Sequence, residues 1–266
     1  MKIYTLGTSH GNSTHSRFNS STLYEAADGT LYLVDAGAPV EALIRRKALS
    51  QSKIRAVFIT HMHDDHAGGL TGLCKQVIKY PQGREFPLTL HFPEANAIPA
   101  FQNWFLAVHE DAHHDFFEYR TTDDGAVYED DNVKVSAIRT CHLRTKGRTE
   151  GDPCSFAYVL HFKAENMTVL HTGDLRPDFS DYPKIAMEQH FDLCLCEATH
   201  YKPEVAHDSF MRSKFARLIF IHIADLWHNT VADRWNFHNG EKALLDNYRD
   251  LPYPVAVAHD GDEFWF

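Results

Sequence analysis

Six consecutive residues place three imidazoles and two carboxylates side by side: His61-Met62-His63-Asp64-Asp65-His66. An apolar, strand-like run, 54–59, leads directly into them. Imidazole and carboxylate are ligands of borderline divalent metals such as zinc. If the chain stays extended past Ile59, side chains two apart point the same way, so His61 and His63 would bind one ion. Asp65 and His66 would then turn toward a second position. The motif holds no cysteine and more ligands than one closed site needs, which indicates a catalytic metal site.

Length and composition are typical of a water-soluble globular chain. The 266 residues suffice for one large domain or two small ones, and 44% of them are hydrophobic and 23% charged. No apolar run approaches the ~20 residues that cross a bilayer, and the first seven residues become polar too soon for a signal peptide. The five cysteines show no CxxC spacing, and their odd number argues against a disulfide framework. We therefore expect a single domain, residues 1–266, in the reducing cytoplasm, with no membrane partner.

Short apolar runs rich in β-branched and aromatic residues recur along the chain and predict strands. The predicted strands are 2–6, 21–25, 30–34, 54–59, 88–92, 133–139, 156–162, 168–171, 191–196, 218–221, 255–258 and 263–266. Helix-like stretches lie at 40–49, 94–109, 203–216 and 240–249. This alternation predicts an α/β fold of two mixed sheets packed together, with helices outside. Cys194 and Cys196 are expected to face one side of a buried strand.

A site for two metals needs further ligands, which we expect at strand ends, where loops begin. His142 follows the predicted strand 133–139, Asp174 follows 168–171, and His222 closes 218–221. Asp35 is a fourth polar residue at a strand end. Its carboxylate would accept a hydrogen bond from a ligand imidazole and so fix the tautomer of that ring.

Taken in chain order, these residues resemble the five motifs of the metallo-β-lactamase superfamily across residues 2–266: Asp35, His61-x-His63-x-Asp65-His66, His142, Asp174 and His222. The resemblance implies a four-layer αββα sandwich with a dinuclear site at the edge between the two sheets. It implies that the first metal is bound by His61, His63 and His142. The second would be bound by Asp65, His66 and His222. Asp174 would bridge the two ions, and a hydroxide between them would be the nucleophile. Asp64 falls at a variable position and is expected to face solvent.

Further motifs are similar to the ribonuclease Z and PhnP-like phosphodiesterase branch of that superfamily. They are Leu6-Gly7-Thr8-Ser9, the stretch 17–23, Thr172-Gly173-Asp174, Cys196-Glu197-Ala198-Thr199 and Ala258-His259-Asp260-Gly261. In the fourth of these, cysteine stands where the branch has histidine. The branch implies a dinuclear metal-dependent hydrolase, and a phosphodiesterase is the leading hypothesis.

The same branch carries a histidine upstream of the last ligand, which donates a proton to the leaving group. His200 is the preferred match, because the segment 200–222 fits the pattern of the branch without a gap. His207, in His207-Asp208-Ser209, is the alternative, and a surface histidine is the plain interpretation of either. A protonated imidazole near a phosphate is a suitable acid. The predicted catalytic residues are therefore Asp174, His200 and Asp35.

Two departures from the branch narrow the substrate. The glycine- and proline-rich arm with which ribonuclease Z holds tRNA has no counterpart here, and the formal net charge is −10. Both argue against a long nucleic acid as partner. The Thr-Pro-Gly-His signature of glyoxalase II and lactonases is replaced by Thr140-Cys141-His142, which makes a thioesterase or lactonase the second hypothesis. A non-catalytic metal-binding sensor is the third.

The predicted substrate is thus a small anionic, nucleotide-like phosphodiester. The predicted cofactors are two divalent metal ions. Zinc suits the histidine and carboxylate ligands best, and manganese or iron would also fit them.

Three other segments have more than one interpretation. Arg144, Lys146 and Arg148 either rim the site and attract an anion or lie in a solvated loop. His109 and His113 are spaced as a metal-binding pair on a predicted helix, or mark its solvated end. The aromatic residues of the 81–130 insert would form a lid, a homodimer surface or, as we expect, helix core. They are Phe101, Trp104, Phe105, Phe116 and Phe117.

Overall fold

The computed structural model describes residues 1–143, 154–224 and 240–266. Within these ranges, fourteen strands form two sheets of seven strands each. In spatial order the first sheet consists of β14 (Asp262–Trp265), β1 (Lys2–Gly7), β2 (Ser21–Glu25), β3 (Leu31–Val34), β4 (Ile54–Phe58), β5 (Leu88–Phe92) and β6 (Phe117–Thr121). The second consists of β13 (Val255–Val257), β12 (Leu218–Ile221), β11 (Leu193–Glu197), β10 (Met167–His171), β9 (Ser155–Phe162), β8 (Val133–Thr140) and β7 (Gly125–Glu129).

The helices of the described ranges connect these strands. They are α1 (Val40–Arg46), α2 (Asp64–Ala67), α3 (Leu70–Lys79), α4 (Ala97–Ala107), α5 (Ile185–Glu188), α6 (Pro203–Arg212) and α7 (Glu241–Asn247). A single 3₁₀ turn, Gln51–Lys53, precedes β4. No helix in this part of the chain combines the length and the apolar character needed to cross a bilayer.

Each sheet is part antiparallel and part parallel. In the first sheet the pairs from β14 to β3 are antiparallel and those from β3 to β6 are parallel. In the second, β10 to β13 are parallel, whereas β7 to β10 are antiparallel. Because β8 and β10 each pair antiparallel with β9, both run in the same direction as β11 and β12. With β13, which is parallel to β12, the second sheet therefore presents five carboxyl-terminal strand ends at one edge.

Three layers of buried apolar side chains hold the elements together. Helices α1, α3 and α4 cover the outer face of the first sheet, for example through Leu43, Leu73 and Phe105. Aromatic side chains such as Phe58 and Tyr158 fill the space between the sheets. Helices α6 and α7 cover the outer face of the second sheet. The predicted αββα sandwich of two mixed sheets is confirmed.

Every predicted strand is present, with ends that differ by at most two residues. Five of the described strands and α-helices were not predicted: α2, α3, α5, β6 and β7. Two of these, α2 and α5, are only four residues long. Helix α3 carries buried apolar residues at helical spacing, Leu70, Leu73, Cys74 and Val77, so its signal was available. Strands β6 and β7 have few buried residues and lie at sheet edges, where the apolar alternation is weak. They make the 81–130 insert part of both sheets.

The aromatic residues of the insert mostly belong to the core. Phe101, Phe105 and Phe117 are buried against the first sheet, as expected, while Trp104 is 61% exposed. The prediction that His109 and His113 share a helix is wrong. Helix α4 ends at Ala107, and His109 takes a left-handed φ of 64°, so the two exposed histidines mark the solvated end of the helix.

The prediction for the two cysteines of β11 can be compared with the fold, whereas the prediction for the basic loop after His142 cannot. Cys194 and Cys196 lie two apart on β11, are fully buried and join the same apolar cluster, which confirms the prediction for them. The basic loop residues Arg144, Lys146 and Arg148 lie outside the described residues.

His91 of β5 is a buried polar residue between the two sheets. Its ring stacks on Phe58 with the centroids 4.8 Å apart and meets Tyr128 edge-on at 5.7 Å. Neither ring nitrogen has a hydrogen-bond partner among the described residues. Burial, helped by the nearby Arg120, lowers the pKa of His91 to about 4. The imidazole is therefore held neutral by an apolar environment that resists its protonation.

Replacing His91 with phenylalanine should stabilise the fold under mild acid. The unfolded chain binds a proton at His91 near pH 6.5, the folded chain only near pH 4, so the histidine destabilises the fold as the pH falls between these values. The gain in unfolding free energy of His91→Phe over the parent should grow by about 2 kcal/mol from pH 7 to pH 5. Urea unfolding at both pH values measures it, with the exposed His113→Phe as control. A gain independent of pH would contradict a neutral, buried His91.

Candidate metal centre

The hexapeptide changes direction in its middle. Strand β4 ends at Phe58, one residue before the predicted end. His63 nevertheless keeps an extended backbone, with φ −65° and ψ 149°, and helix α2 begins at the next residue. The extended part aims His61 and His63 at one position, and the helical turn aims Asp65 and His66 at another. Asp64 is exposed, as expected.

The first candidate ligand group brings together His61, His63, His142 and Asp174, whose ligand atoms all lie within 4.8 Å of one another. His61 Nε2 is 2.9 Å from His63 Nδ1. Asp174 Oδ2 is 3.6 Å from His61 Nε2 and 3.5 Å from His142 Nε2. Two atoms bound at ~2.0–2.2 Å to one tetrahedral ion lie roughly 3.3–3.5 Å apart. The distances from Asp174 Oδ2 to His61 and His142 therefore fit a zinc-sized ion.

The second group consists of Asp65, His66 and His222, with Asp174 again at its edge. Asp65 Oδ2 is 3.4 Å from His66 Nε2 and 3.2 Å from His222 Nε2. Asp174 Oδ1 is 3.4 Å from the same His66 nitrogen and 3.5 Å from that of His222. The two oxygens of Asp174 thus face different groups.

Two buried atoms at the junction of the groups test whether a cation fits. Asp174 Oδ1 and His66 Nε2 are buried and have no hydrogen-bond partner among the described residues. Unpaired buried polar atoms are costly, and convergent ones are expected where a metal ion completes the structure. The donor set of imidazole nitrogens and carboxylate oxygens suits zinc.

Asp35 orients one imidazole in each group. Its Oδ2 lies 2.7 Å from His66 Nδ1, so that ring donates from Nδ1 and turns its Nε2 lone pair to the centre. The same carboxylate accepts from the hydroxyl of Thr60 at 3.0 Å, and that hydroxyl oxygen lies 3.0 Å from His61 Nδ1. Thr60 therefore relays the effect of Asp35 to His61. The sequence predicted one such bond, and the structure supplies two, the second through Thr60.

The remaining contacts around the ligands are more varied. His142 donates from Nδ1 to the Leu175 carbonyl at 3.1 Å. The Gly11 backbone N–H donates to Asp65 Oδ2 at 2.8 Å. His222 Nδ1 has no partner among the described residues, and His222 lines a small cavity that has room, about 10 Å³, for the centre of one water molecule.

Charge in this region is dominated by buried carboxylates. Burial opposes ionisation of Asp174, yet the surrounding imidazoles, His222 and His66 foremost, hold its pKa well below the usual range. Burial and the neighbouring His66 keep the pKa of His61 well below 6.5, so that ring is neutral and its lone pair is available. For His66, burial is outweighed by Asp174, Asp35 and Asp65, which raise its pKa. A proton and a metal ion would therefore compete for His66 Nε2.

Unusual backbone geometry occurs where the ligands are presented. Asp35 and His222 both take left-handed φ angles, 59° and 53°, which non-glycine residues adopt at a cost. Gly173, before Asp174, has φ 60°, and a Cβ there would lie 2.8 Å from the Phe156 carbonyl oxygen. At Gly37 a Cβ would lie 2.2 Å from the Asp65 carbonyl oxygen, so only glycine lets the loop after β3 approach α2.

His200 lies beside both groups. Its ring centroid is 4.6 Å from that of His142 and 5.3 Å from that of His222. Its Nδ1 lies 3.0 Å from Glu197 Oε1 and 3.7 Å from Asp174 Oδ2. Burial alone would lower the pKa of His200, but Glu197 and Asp174 outweigh it and raise it to about 9. By contrast His207 lies on α6 and pairs with Asp250 at 2.9 Å.

Glu197 and Thr60 are site residues whose roles were not predicted. Buried Glu197 accepts from the backbone N–H groups of Leu175, Thr199 and His200 as well as from the His200 ring. A glutamate at the end of an otherwise apolar strand, Leu193–Glu197, was the signal for it. Thr60 directly precedes the motif, and nothing in its sequence context distinguished it.

Replacing Asp35 with asparagine should weaken metal binding while the fold is kept. Asparagine has the same size but only one acceptor oxygen, so either the backbone N–H of Thr60 loses its acceptor, or the His66 ring and the Thr60 hydroxyl both do. We expect a decrease of about 10- to 100-fold in zinc affinity, the range typical for partners of ligand histidines. Competition with a chromogenic chelator measures it, and Asp28→Asn, the same change in an exposed turn, is the control. Unchanged zinc affinity in Asp35→Asn would contradict the orienting role.

Comparisons with known proteins agree with this architecture. The model of the family described as "Anti-Pycsar protein Apyc1" matches residues 1–214. A ribonuclease Z of Pseudomonas putida is 41% identical over 96 residues, which cover 36% of this chain and 29% of that protein. The chain matches less than half the length of such curated relatives.

Two solved structures share the fold over nearly the whole chain. The metallo-β-lactamase fold protein YhfI from Bacillus subtilis has a TM-score of 0.72 at 17% identity, covering 99% of this chain and 98% of its own. A diphosphatase from the PhnP family has a TM-score of 0.67 at 20% identity, covering 100% and 98%. The chain therefore belongs to the family of the anti-Pycsar protein Apyc1, and it shares the fold of the metallo-β-lactamase fold protein YhfI and of the PhnP-family diphosphatase.

Proposed function

We propose that this chain is a dinuclear metal-dependent phosphodiesterase whose substrate is a small or nucleotide-like phosphodiester. The observation that carries the proposal is the position of Asp174, whose Oδ2 faces one group of imidazoles and whose Oδ1 faces the other. A carboxylate shared in this way suits two ions held a few ångströms apart. The names of relatives, ribonuclease Z and a diphosphatase of the PhnP family, support hydrolysis of a phosphate ester.

The proposed roles follow the two groups. His61, His63 and His142 would hold the first ion, Asp65, His66 and His222 the second, and Asp174 both. Bound there, two divalent ions, zinc by preference and manganese or iron as alternatives, would polarise the phosphoryl group and supply a water of lowered pKa. The chain as a whole, residues 1–266, would act as one domain.

The exposed rim of the site indicates where substrate would approach. His63 is exposed and His142 and His200 are half-buried, whereas His61, His66 and His222 are buried. A phosphodiester would therefore meet the centre across the first three residues. The −10 net charge of the chain argues for a small substrate rather than a tRNA.

His200 would act as the general acid. Glu197 bonds to its Nδ1 and stabilises the imidazolium form, so the Nε2 proton is the one available for the leaving oxygen. An alkoxide needs that proton, whereas a thiolate, with a pKa near ~8.5, leaves without it. The His200–Glu197 pair therefore supports a phosphodiester over a thioester.

The zinc-loaded protein should hydrolyse bis(p-nitrophenyl) phosphate and nucleoside cyclic phosphates. Release of p-nitrophenol and of the linear nucleotide, measured alongside a panel of thioesters, lactones and a 3′-extended tRNA, tests this. Turnover of the thioester or lactone panel, with none of the phosphodiesters, would sink the proposal in favour of the second hypothesis.

His200→Ala should depend on the leaving group. With an alkoxide leaving group, as in a cyclic nucleotide, loss of the acid should lower kcat by about 10²- to 10⁴-fold. With p-nitrophenolate, which leaves unaided, the loss should be far smaller. His207→Ala, a matched change seven residues along the chain, should alter neither rate. An equal loss for both leaving groups would assign His200 a structural role instead.

Asp174→Ala should abolish activity and reduce the metal content from two ions per chain. A bridging ligand serves both ions, so its removal weakens both groups at once. Elemental analysis of protein purified without added metal, together with the phosphodiesterase assay, measures the two effects. Parental activity in Asp174→Ala would contradict the bridging role, whereas a parent that binds metal but turns over no substrate would favour the non-catalytic sensor hypothesis.

A further inference from the structure

We infer that Asp181 is a positioning residue that sets the distance between the loop of His142 and the loop of Asp174. Its Oδ2 accepts from the backbone N–H of Cys141 at 2.7 Å, and its Oδ1 accepts from the backbone N–H of Arg176 at 2.9 Å. Cys141 directly precedes His142, and Arg176 comes two residues after Asp174. One half-buried carboxylate thus connects the two loops that complete the first ligand group.

These two loops come from strands that are not neighbours. His142 follows β8 and Asp174 follows β10, and β9 lies between them in the sheet. No ladder hydrogen bond can therefore join the loops to each other. The bond from His142 Nδ1 to the Leu175 carbonyl runs between the same loops, so three hydrogen bonds of the described residues bridge the gap, two of them to Asp181.

The positioning role of Asp181 should act mainly on the first ligand group. His142 Nε2 lies 3.5 Å from Asp174 Oδ2, a spacing that only a fixed distance between the loops preserves. The second group takes Asp65 and His66 from α2 and His222 from the end of β12, and among the described residues Asp181 hydrogen-bonds to none of these loops. The second group shares only Asp174 with the first, so Asp181 should affect the first ion more than the second.

This inference rests on the proposed dinuclear centre, and a charge-removing substitution tests it. Asparagine at position 181 keeps one acceptor oxygen but turns an amide N–H₂ toward a backbone N–H, so one of the two loops is released. We expect Asp181→Asn to weaken binding of the first ion by about 10- to 100-fold, as is typical when a partner of a ligand is lost. Asp178→Asn is the matched control, because Asp178 lies in the same loop, is exposed, and among the described residues bonds to Ser180 and the Arg176 side chain.

A double-mutant cycle identifies which ion responds. Zinc affinities are measured by chelator competition in the parent, in His142→Ala and in His222→Ala, each with and without Asp181→Asn. The substitution should cost less once His142 is absent than it does in the parent, and should keep most of its effect once His222 is absent. A merely structural role would lower affinity equally in all backgrounds, or lower thermal stability without changing affinity, and either result would overturn the inference.

The readout separates this inference from the proposed function. If the parent binds fewer than two zinc ions, the dinuclear proposal fails whatever Asp181 does. If the parent binds two ions and Asp181→Asn binds both with parental affinity, the centre stands and the positioning role of Asp181 is wrong. In the phosphodiesterase assay, restoring the activity of Asp181→Asn with excess zinc would add support, because weakened binding is reversed by mass action.

Discussion

Four carboxylates are buried at one edge of this molecule: Asp35, Asp65, Asp174 and Glu197. Burying a charge costs several kcal/mol or more unless it is paired and hydrogen-bonded, so the surroundings must compensate for each. Asp35 accepts hydrogen bonds from Thr60 and His66, and Asp65 accepts one from the Gly11 N–H. Glu197 accepts hydrogen bonds from three backbone N–H groups and from the His200 ring. Asp174 is different, because one of its oxygens has no partner among the described residues. The strand ends thus bring together negative charge that their hydrogen bonds do not fully compensate, and a divalent ion would compensate it.

Most of the fold and the candidate ligands could be predicted from sequence because their signals are local. Apolar strands recur at regular intervals, and His61, His63, Asp65 and His66 stand within six residues of one another. The edge strands β6 and β7 were not predicted, because an edge strand buries few side chains and so shows little alternation of apolar and polar residues. Helix α3 had the right spacing of apolar residues, but Gly72 within it weakens the helical signal.

The contacts that orient the ligands are the part that sequence could not supply. Thr60 relays between Asp35 and His61 because β3 and β4 are neighbours in the sheet, and Asp181 reaches two loops because β8 and β10 are separated by β9. These are consequences of tertiary structure. For the choice between His200 and His207, the spacing of the motifs already favoured His200, and the structure adds the distances to their partners. His200 lies beside Asp174, whereas His207, seven residues further along the chain and within α6, pairs with Asp250.

Each candidate ligand group draws on both sheets. His61 and His63 follow a strand of the first sheet, and His142 and Asp174 follow strands of the second. Asp65 and His66 lie on α2, which follows β4 of the first sheet, and His222 follows β12 of the second sheet. An ion in either group would therefore add a link between two sheets that are already joined by apolar packing and by hydrogen bonds such as that from the Tyr158 hydroxyl to the Ile59 carbonyl. Ligands that bind only the folded state add their binding energy to its stability. For a molecule built in this way, a strong chelator would behave as a mild denaturant, loosening the two halves of the sandwich from the edge where substrate enters.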